Sequence, residues 1–259
     1  MATLAVVLFG VLGPVLTPYD PIKVNMDRQL LPPGRAHWFG TDEAGRDLFT
    51  RMAHGARFSL GSAAAIIGLA TAAGFLIGGF SGYLGGRLDE AVMRLCDLIM
   101  AFPLLILAMA IAIALGPGLR SSVVALAAAW WPSYARLVRG MVLILKEALY
   151  VEAARAAGAP AARIVLRHIL PHTIPAVSSR VTMDLGFAIV ASSGLSFIGL
   201  GAQQPTPEWG SMIATSRTFF MTAWWYGLFP GLAIFATVLG ISLVGDALQD
   251  ALDPRRRGA

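Results

Sequence analysis

Six stretches of this chain are long and apolar, near residues 1–16, 58–82, 97–115, 121–141, 178–200 and 225–246. A bilayer core about 30 Å thick takes about 20 apolar residues of helix to cross. Inside it the backbone must satisfy its own hydrogen bonds, so a spanning segment is helical or part of a closed barrel. Runs of this length suit helices. Composition agrees, with 56% of the 259 residues hydrophobic and 14% charged, where soluble domains carry about a quarter charged. The expectation is an all-α, polytopic membrane protein with about six transmembrane helices, divided into residues 1–57 (a first helix and an external segment) and 58–259 (five helices).

The first stretch is the shortest, about 24 Å of helix at 1.5 Å per residue. It has no charged leader and no clean small-residue cleavage site before Thr17-Pro18-Tyr19-Asp20-Pro21, so it reads as a shortened membrane helix rather than a signal peptide. Lys and Arg favour the cytoplasmic side. With both termini inside, that side holds Arg87, Arg94, the seven Lys and Arg residues from Arg136 to Arg180, and Arg255, Arg256 and Arg257, and it outweighs the other. The termini are therefore expected in the cytoplasm.

Several chemistries are missing. A P-loop needs Lys directly after Gly, but Lys23 follows Ile22 and Lys146 follows Leu145. Neither HExxH nor GxSxG occurs, so no catalytic residue is assigned. Cys96 is the single cysteine, which excludes an intrachain disulfide and a multi-cysteine metal site. His168 and His172 are four apart, a spacing that can hold metal on one helix face, but Pro171 lies between them and no acidic partner is adjacent. No metal site is expected. The net charge of +5 sits at helix ends, where it suits lipid headgroups, and no basic face with stacking aromatics is assembled for nucleic acid.

Charges inside apolar spans are costly and therefore informative. Arg180 and Asp184 are spaced i, i+4, so they can pair on one face as a buried ion pair, line a solute path, or sit at headgroup level. Gly74, Gly78, Gly82 and Gly86 recur every four residues, which lets another helix approach closely. Pro103, Pro132 and Pro230 are expected to interrupt their helices.

Between the fourth and fifth apolar stretches lies a charged, Ala-rich segment, VEAARAAGAPAARIVLRHILPHTIP from residue 151. Residues 146–157 are good helix formers. Gly158 suits a left-handed helix end and Pro160 the first turn of a new helix. The second helix is expected to run to Pro171, with Ile164, Leu166, Ile169 and Leu170 toward apolar surroundings and Arg163 and Arg167 on another face. Small side chains in the first half would let another surface come close. An amphipathic helix lying on lipid is the plainer alternative.

The same residues, Glu152-Ala153-Ala154, then Gly158, then Leu170-Pro171, resemble the EAA loop of permease subunits in binding-protein-dependent ABC importers. The general pattern has Ile two before Leu-Pro, where this chain has His168; His-Ile-Leu-Pro is similar to the peptide-importer version. HWFGTDEAGRDLFTRMAHGARFSL, from residue 37, resembles the segment after the first helix in dipeptide, oligopeptide and nickel permeases, with Gly40-Thr41-Asp42 and Gly45-Arg46-Asp47 as its signature. LSFIGLGAQQPTPEWGSMI, from residue 195, resembles the end of that family's fifth helix, although Ser192 stands where the family usually has glutamate. The match covers the chain almost end to end and fits the subunit with the short external segment.

The resemblance implies the type I ABC importer fold, with a cytoplasmic coupling loop at about 146–171. It implies a permease subunit for peptides, or alternatively for nickel or another small solute, in a bacterial or archaeal cytoplasmic membrane. A self-contained secondary transporter is the more distant alternative. Implied partners are a second homologous permease, two ATP-binding cassette ATPases, an extracytoplasmic solute-binding protein and membrane lipid, with no nucleic acid. The chain would bind no cofactor, since ATP and Mg belong to the ATPases. Glu152, Ala153, Ala154, Gly158, Leu170 and Pro171 would carry the ATPase coupling. The external segment, including Asp42, Arg46 and Asp47, would receive the solute-binding protein or form an internally salt-bridged cap.

Overall fold

The structure, a computed structural model, describes residues 10, 13, 15 and 17–252. Most of the first expected span (1–16) and the C-terminal arginines Arg255, Arg256 and Arg257 lie outside the described residues. Helices follow as α1 (Leu48–Leu84), α2 (Gly86–Met100), α3 (Leu104–Leu115), α4 (Leu119–Leu145), α5 (Leu149–Ala156), α6 (Ala161–Phe197), α7 (Trp209–Ser216) and α8 (Trp224–Leu252). Among the described residues there is no strand, only an isolated bridge between Thr41 and Asp47.

Helix α1 begins where Asp47, in extended conformation, accepts a hydrogen bond from the Thr50 backbone N–H at 2.8 Å. A side-chain acceptor there satisfies one of the unpaired N–H groups of a first turn. The helix ends at Gly85, φ +66°. Its 37 residues make about 55 Å at 1.5 Å per residue, so it starts ten residues before the expected span, and residues 57 and 58 both lie within it.

The expected straight span over 97–115 is corrected. Helices α2 and α3 meet at 93° across a short break. Pro103, extended at ψ 130°, stands at the N-terminal boundary of α3. Proline disfavours helical backbone in the residue before it and has no N–H for the preceding helix, so α2 stops at Met100. The other two prolines behave differently: Pro132 lies inside α4 and Pro230 inside α8, and neither helix is interrupted.

Among the described residues three helices are each long and apolar enough to cross a membrane, Leu48–Leu84, Ala161–Phe197 and Trp224–Gly245, and the bent α2–α3 pair makes a fourth if it is counted as one span. Helix α4 is 27 residues long but less apolar, because Pro132, Ser133, Tyr134 and Arg136 lie in its middle. Its small residues turn inward instead. Methyl groups added at Gly74 or Gly78 of α1 would come within 2.5 Å of Tyr134 Cβ and 2.2 Å of the Ala135 carbonyl oxygen. Gly82 likewise faces Arg139 and Val142. The glycine stripe is thus an intrachain contact between α1 and α4. Gly86 is not part of it: φ is +63° and open space surrounds it.

The main core gathers Ile66 and Ile67 of α1, Leu126 and Val138 of α4, and Ile169, Leu170 and Ile189 of α6. A smaller cluster at the other end joins Leu48 and Met52 to Trp209, Met212 and Tyr226, fastening α7 and α8 to the start of α1.

Candidate functional site

The Ala-rich segment is one short exposed helix and the beginning of a long one. Lys146 caps α4, the chain breaks at residues 147–148, and Ala148 in extended conformation starts α5. The helix expected over 146–157 therefore begins at Leu149. Gly158 then turns the chain at φ +78°, as expected for a left-handed helix end.

Helix α6 does not stop at Pro171. It runs on through Pro171 and Pro175 to Phe197, and residues Ile164–Ile169 form a π-helical turn. A proline ring collides with the carbonyl four residues back and leaves one acceptor unpaired. A wider turn just before it relieves both problems, and Leu170 N–H reaches back five residues to the Val165 carbonyl. The same widening shifts the buried face. Ile164, Val165, Ile169 and Leu170 are buried, and Leu166, expected inside, is 51% exposed. Arg163 and Arg167 are exposed, as expected.

Helix α5 is tethered at few points. Val151 is fully buried and Ala154 half-buried, while Leu149, Glu152, Ala153 and Gly158 face outward. The Arg155 guanidinium lies 5.9 Å from the Tyr83 ring centroid of α1, within reach of a cation–π attraction. Tyr150 meets His172 of α6 at 5.4 Å between rings. Of the two distal motif residues, Pro171 is exposed and Leu170 is not: it packs on Gly79 of α1. So the motif separates into an outward face (Glu152, Ala153, Gly158, Pro171) and an inward anchor (Leu170).

Arg180 and Asp184 do pair, Nε to Oδ2 at 2.8 Å, and the Tyr134 hydroxyl donates to the same Oδ2 at 2.9 Å. Tyr134 went unnoticed in the sequence, although a tyrosine in an apolar span needs a partner for its hydroxyl. The cluster lies beside a cavity of about 320 Å³ between the α2–α3 bend, α4 and α6. Two more ion pairs tie α4 to α2: Arg139 grips Asp89 with two bonds of 2.6 and 2.7 Å, and Arg136 pairs with Asp97.

At the start of α1 the Gly-Thr-Asp and Gly-Arg-Asp residues do form a salt-bridged cap. Arg46 reaches Asp42 at 2.7 Å and Glu43 at 2.8 Å, Arg51 lies 3.1 Å from Asp42, and His37 is 2.8 Å from Asp47. Asp42 and Arg51 are wholly buried. Thr41 is also buried, accepting from the Leu31 N–H at 2.8 Å. Gly40 and Gly45 take φ of +79° and +69°, and a side chain at Gly45 would strike the Asn25 carbonyl. The 195–213 stretch docks beside them. Glu208 caps α7 through Gly210 N–H at 2.9 Å and Ser211 N–H at 2.8 Å, and accepts from Ser59 of α1 at 3.2 Å. Ser192, at the position where resemblance suggested a carboxylate, is buried and donates to the Ile189 carbonyl. Among the described residues, no three His, Cys, Asp or Glu side chains come together to hold a metal.

Residues 74–258 match the family model described as "Binding-protein-dependent transport system inner membrane component". The chain belongs to that family. It is 43% identical over 251 residues to the probable D,D-dipeptide transport system permease protein DdpC of Escherichia coli K12, covering 97% of this chain and 84% of that one. It is 41% identical to the dipeptide transport system permease protein DppC of Alkalihalophilus pseudofirmus, covering 97% and 83%. It is 42% identical to the nickel transport system permease protein NikC of Escherichia coli K12, covering 92% and 86%. A solved structure of inward-facing MetNI methionine ABC transporter matches with a TM-score of 0.55 at 20% identity, covering 75% of this chain and 94% of that one. The fold is that of a type I ABC importer, and the chain is the permease component of a binding-protein-dependent ABC importer, an inner membrane protein.

Proposed function

We propose that this permease forms one half of a pathway for di- or oligopeptides and is worked from the cytoplasm through α5. A second homologous permease supplies the other half, two ATPases supply free energy, and an extracytoplasmic binding protein delivers solute. ATP and Mg belong to the ATPases, and this chain binds no cofactor and catalyses nothing. Both termini face the cytoplasm.

The observation that carries this reading is the outward face of α5, with Glu152, Ala153 and Gly158 exposed on a helix that its own chain holds chiefly through Val151. A cleft in an ATPase that took this face would seat the small side chains closely, with Glu152 available to pair with a basic residue. Closure of the ATPases would then displace α5, and through Arg155–Tyr83, Tyr150–His172 and Val151 would bias α1 and α6. Nucleotide shifts the pore only by binding one arrangement more tightly than the other. Peptide cargo is supported by the relatives named for dipeptides; nickel is the second reading, supported by a relative of almost equal identity.

The test is purification of tagged chain from mild detergent. Recovery of a second permease and two ATPases supports the proposal, and recovery of the chain alone contradicts it. Thermal shift of the importer's solute-binding protein with dialanine and with Ni²⁺ separates the two cargoes.

A further inference from the structure

The Arg180–Asp184 cluster has one edge left over. Arg180 donates only through Nε, and its two terminal nitrogens make no hydrogen bond to a described residue, although half of the side chain is exposed. Arg180 lies in the apolar part of α6, beyond Pro171 and Pro175. A charge inside an apolar helix is costly and faces protein or a water-filled cavity rather than lipid. Here the cavity is present, about 320 Å³, with Met100, Phe102, Trp130 and Phe187 as its apolar walls. Asp184 is 8% exposed, and its Oδ2 takes both Arg180 Nε and the Tyr134 hydroxyl, so the guanidinium is held by Nε at the cavity that Arg180 lines.

Resting on the peptide reading above, we infer that this cavity is a carboxylate subsite on the transport path. The free edge of Arg180 takes the C-terminal carboxylate of a peptide in transit, and the aromatic walls accept its side chain. Two parallel N–H donors match a carboxylate in geometry. Because Asp184 already neutralises the arginine, the hold is weak, which a site that must release its cargo requires. Tyr134 and Asp184 are positioning residues.

The experiment uses the assembled importer in lipid vesicles, with Cys96→Ser and Phe187→Cys introduced into this chain. Modification rates by an anionic and a cationic methanethiosulfonate are compared with those in the same protein carrying Arg180→Gln together with Asp184→Asn, a pair that leaves no charge unpaired. The expected result is a preference for the anionic reagent about tenfold greater with Arg180 present than without it, and slowing of modification by millimolar dialanine but not by dialaninamide. Equal preference in both proteins, or no modification at all, overturns the subsite. Anionic preference with no protection by dialanine keeps the subsite and overturns the peptide reading. Arg180→Lys, which keeps charge without the planar fork, is expected to retain the preference for the anionic reagent and lose most of the protection.

Discussion

Leu170 lies directly over Gly79, so that a methyl group added to Gly79 would sit 2.8 Å from Leu170 Cδ2. Leu170 is therefore part of the contact between α6 and α1, which roots this segment in the hydrophobic core of the helices.

That contact and its neighbours predict a graded series. At Gly78 the obstacle is the Ala135 backbone at 2.2 Å, whereas at Gly79 it is the flexible end of a leucine. Gly78→Ala is expected to lose about 2–3 kcal/mol and Gly79→Ala about 1 kcal/mol or less. Gly140→Ala, with open space around it, is expected to be neutral or to gain up to about 1 kcal/mol. Thermal unfolding in detergent reads the order, and a Gly78 variant as stable as the parent would contradict the close approach of α1 and α4.

At the turn after α5, Gly158 has open space around it but φ +78°. Its requirement is conformational, so Gly158→Val is expected to fail where Gly158→Asn is tolerated, because asparagine enters left-handed backbone more readily. Glu152→Lys reverses an exposed charge and touches no core residue. Both Glu152→Lys and Gly158→Val are expected to reduce uptake at least about tenfold, a loss of coupling of about 1.4 kcal/mol, while the chain still inserts and ATP hydrolysis persists. Paired uptake and phosphate-release assays check this; undiminished uptake in both variants would remove α5 from the mechanism.

The cap before α1 offers a stability test. Asp42→Asn leaves Arg46 and Arg51 buried with a weakened partner, and breaking a buried pair costs about 3–5 kcal/mol. Glu90→Gln removes a partner from the exposed Arg94 pair and is expected to change stability by less than about 1 kcal/mol. Unfolding midpoints of the two purified variants decide it, and equal midpoints would contradict a cap held by its buried charges.

Much of this organisation is legible in residue patterns, because apolar helices announce themselves by length and apolarity and the turn between α5 and α6 by Gly158 and Pro160. The i, i+4 spacing of Arg180 and Asp184 allowed the pair that forms among several readings, and the four-residue spacing of the glycines at 74, 78 and 82 allowed the close approach that α4 makes. Other features depend on tertiary context. A π-helical turn that carries α6 through Pro171 has no period of its own, so Leu166 and Val165 exchanged places relative to a regular helix. Pro103 broke its helix while Pro132 and Pro230 did not, since neighbouring packing decides whether a proline is absorbed. Tyr134 joined Asp184 across 50 positions, and Leu170 turned inward, through contacts that no local pattern encodes.

The most direct measurement is solute accumulation in sealed vesicles with the chain purified alone, and again with the second permease, the two ATPases, the binding protein and ATP. The expected result is accumulation only in the complete assembly, abolished when ATP is withheld. Accumulation against a gradient by the chain alone would contradict a permease that is worked by other subunits.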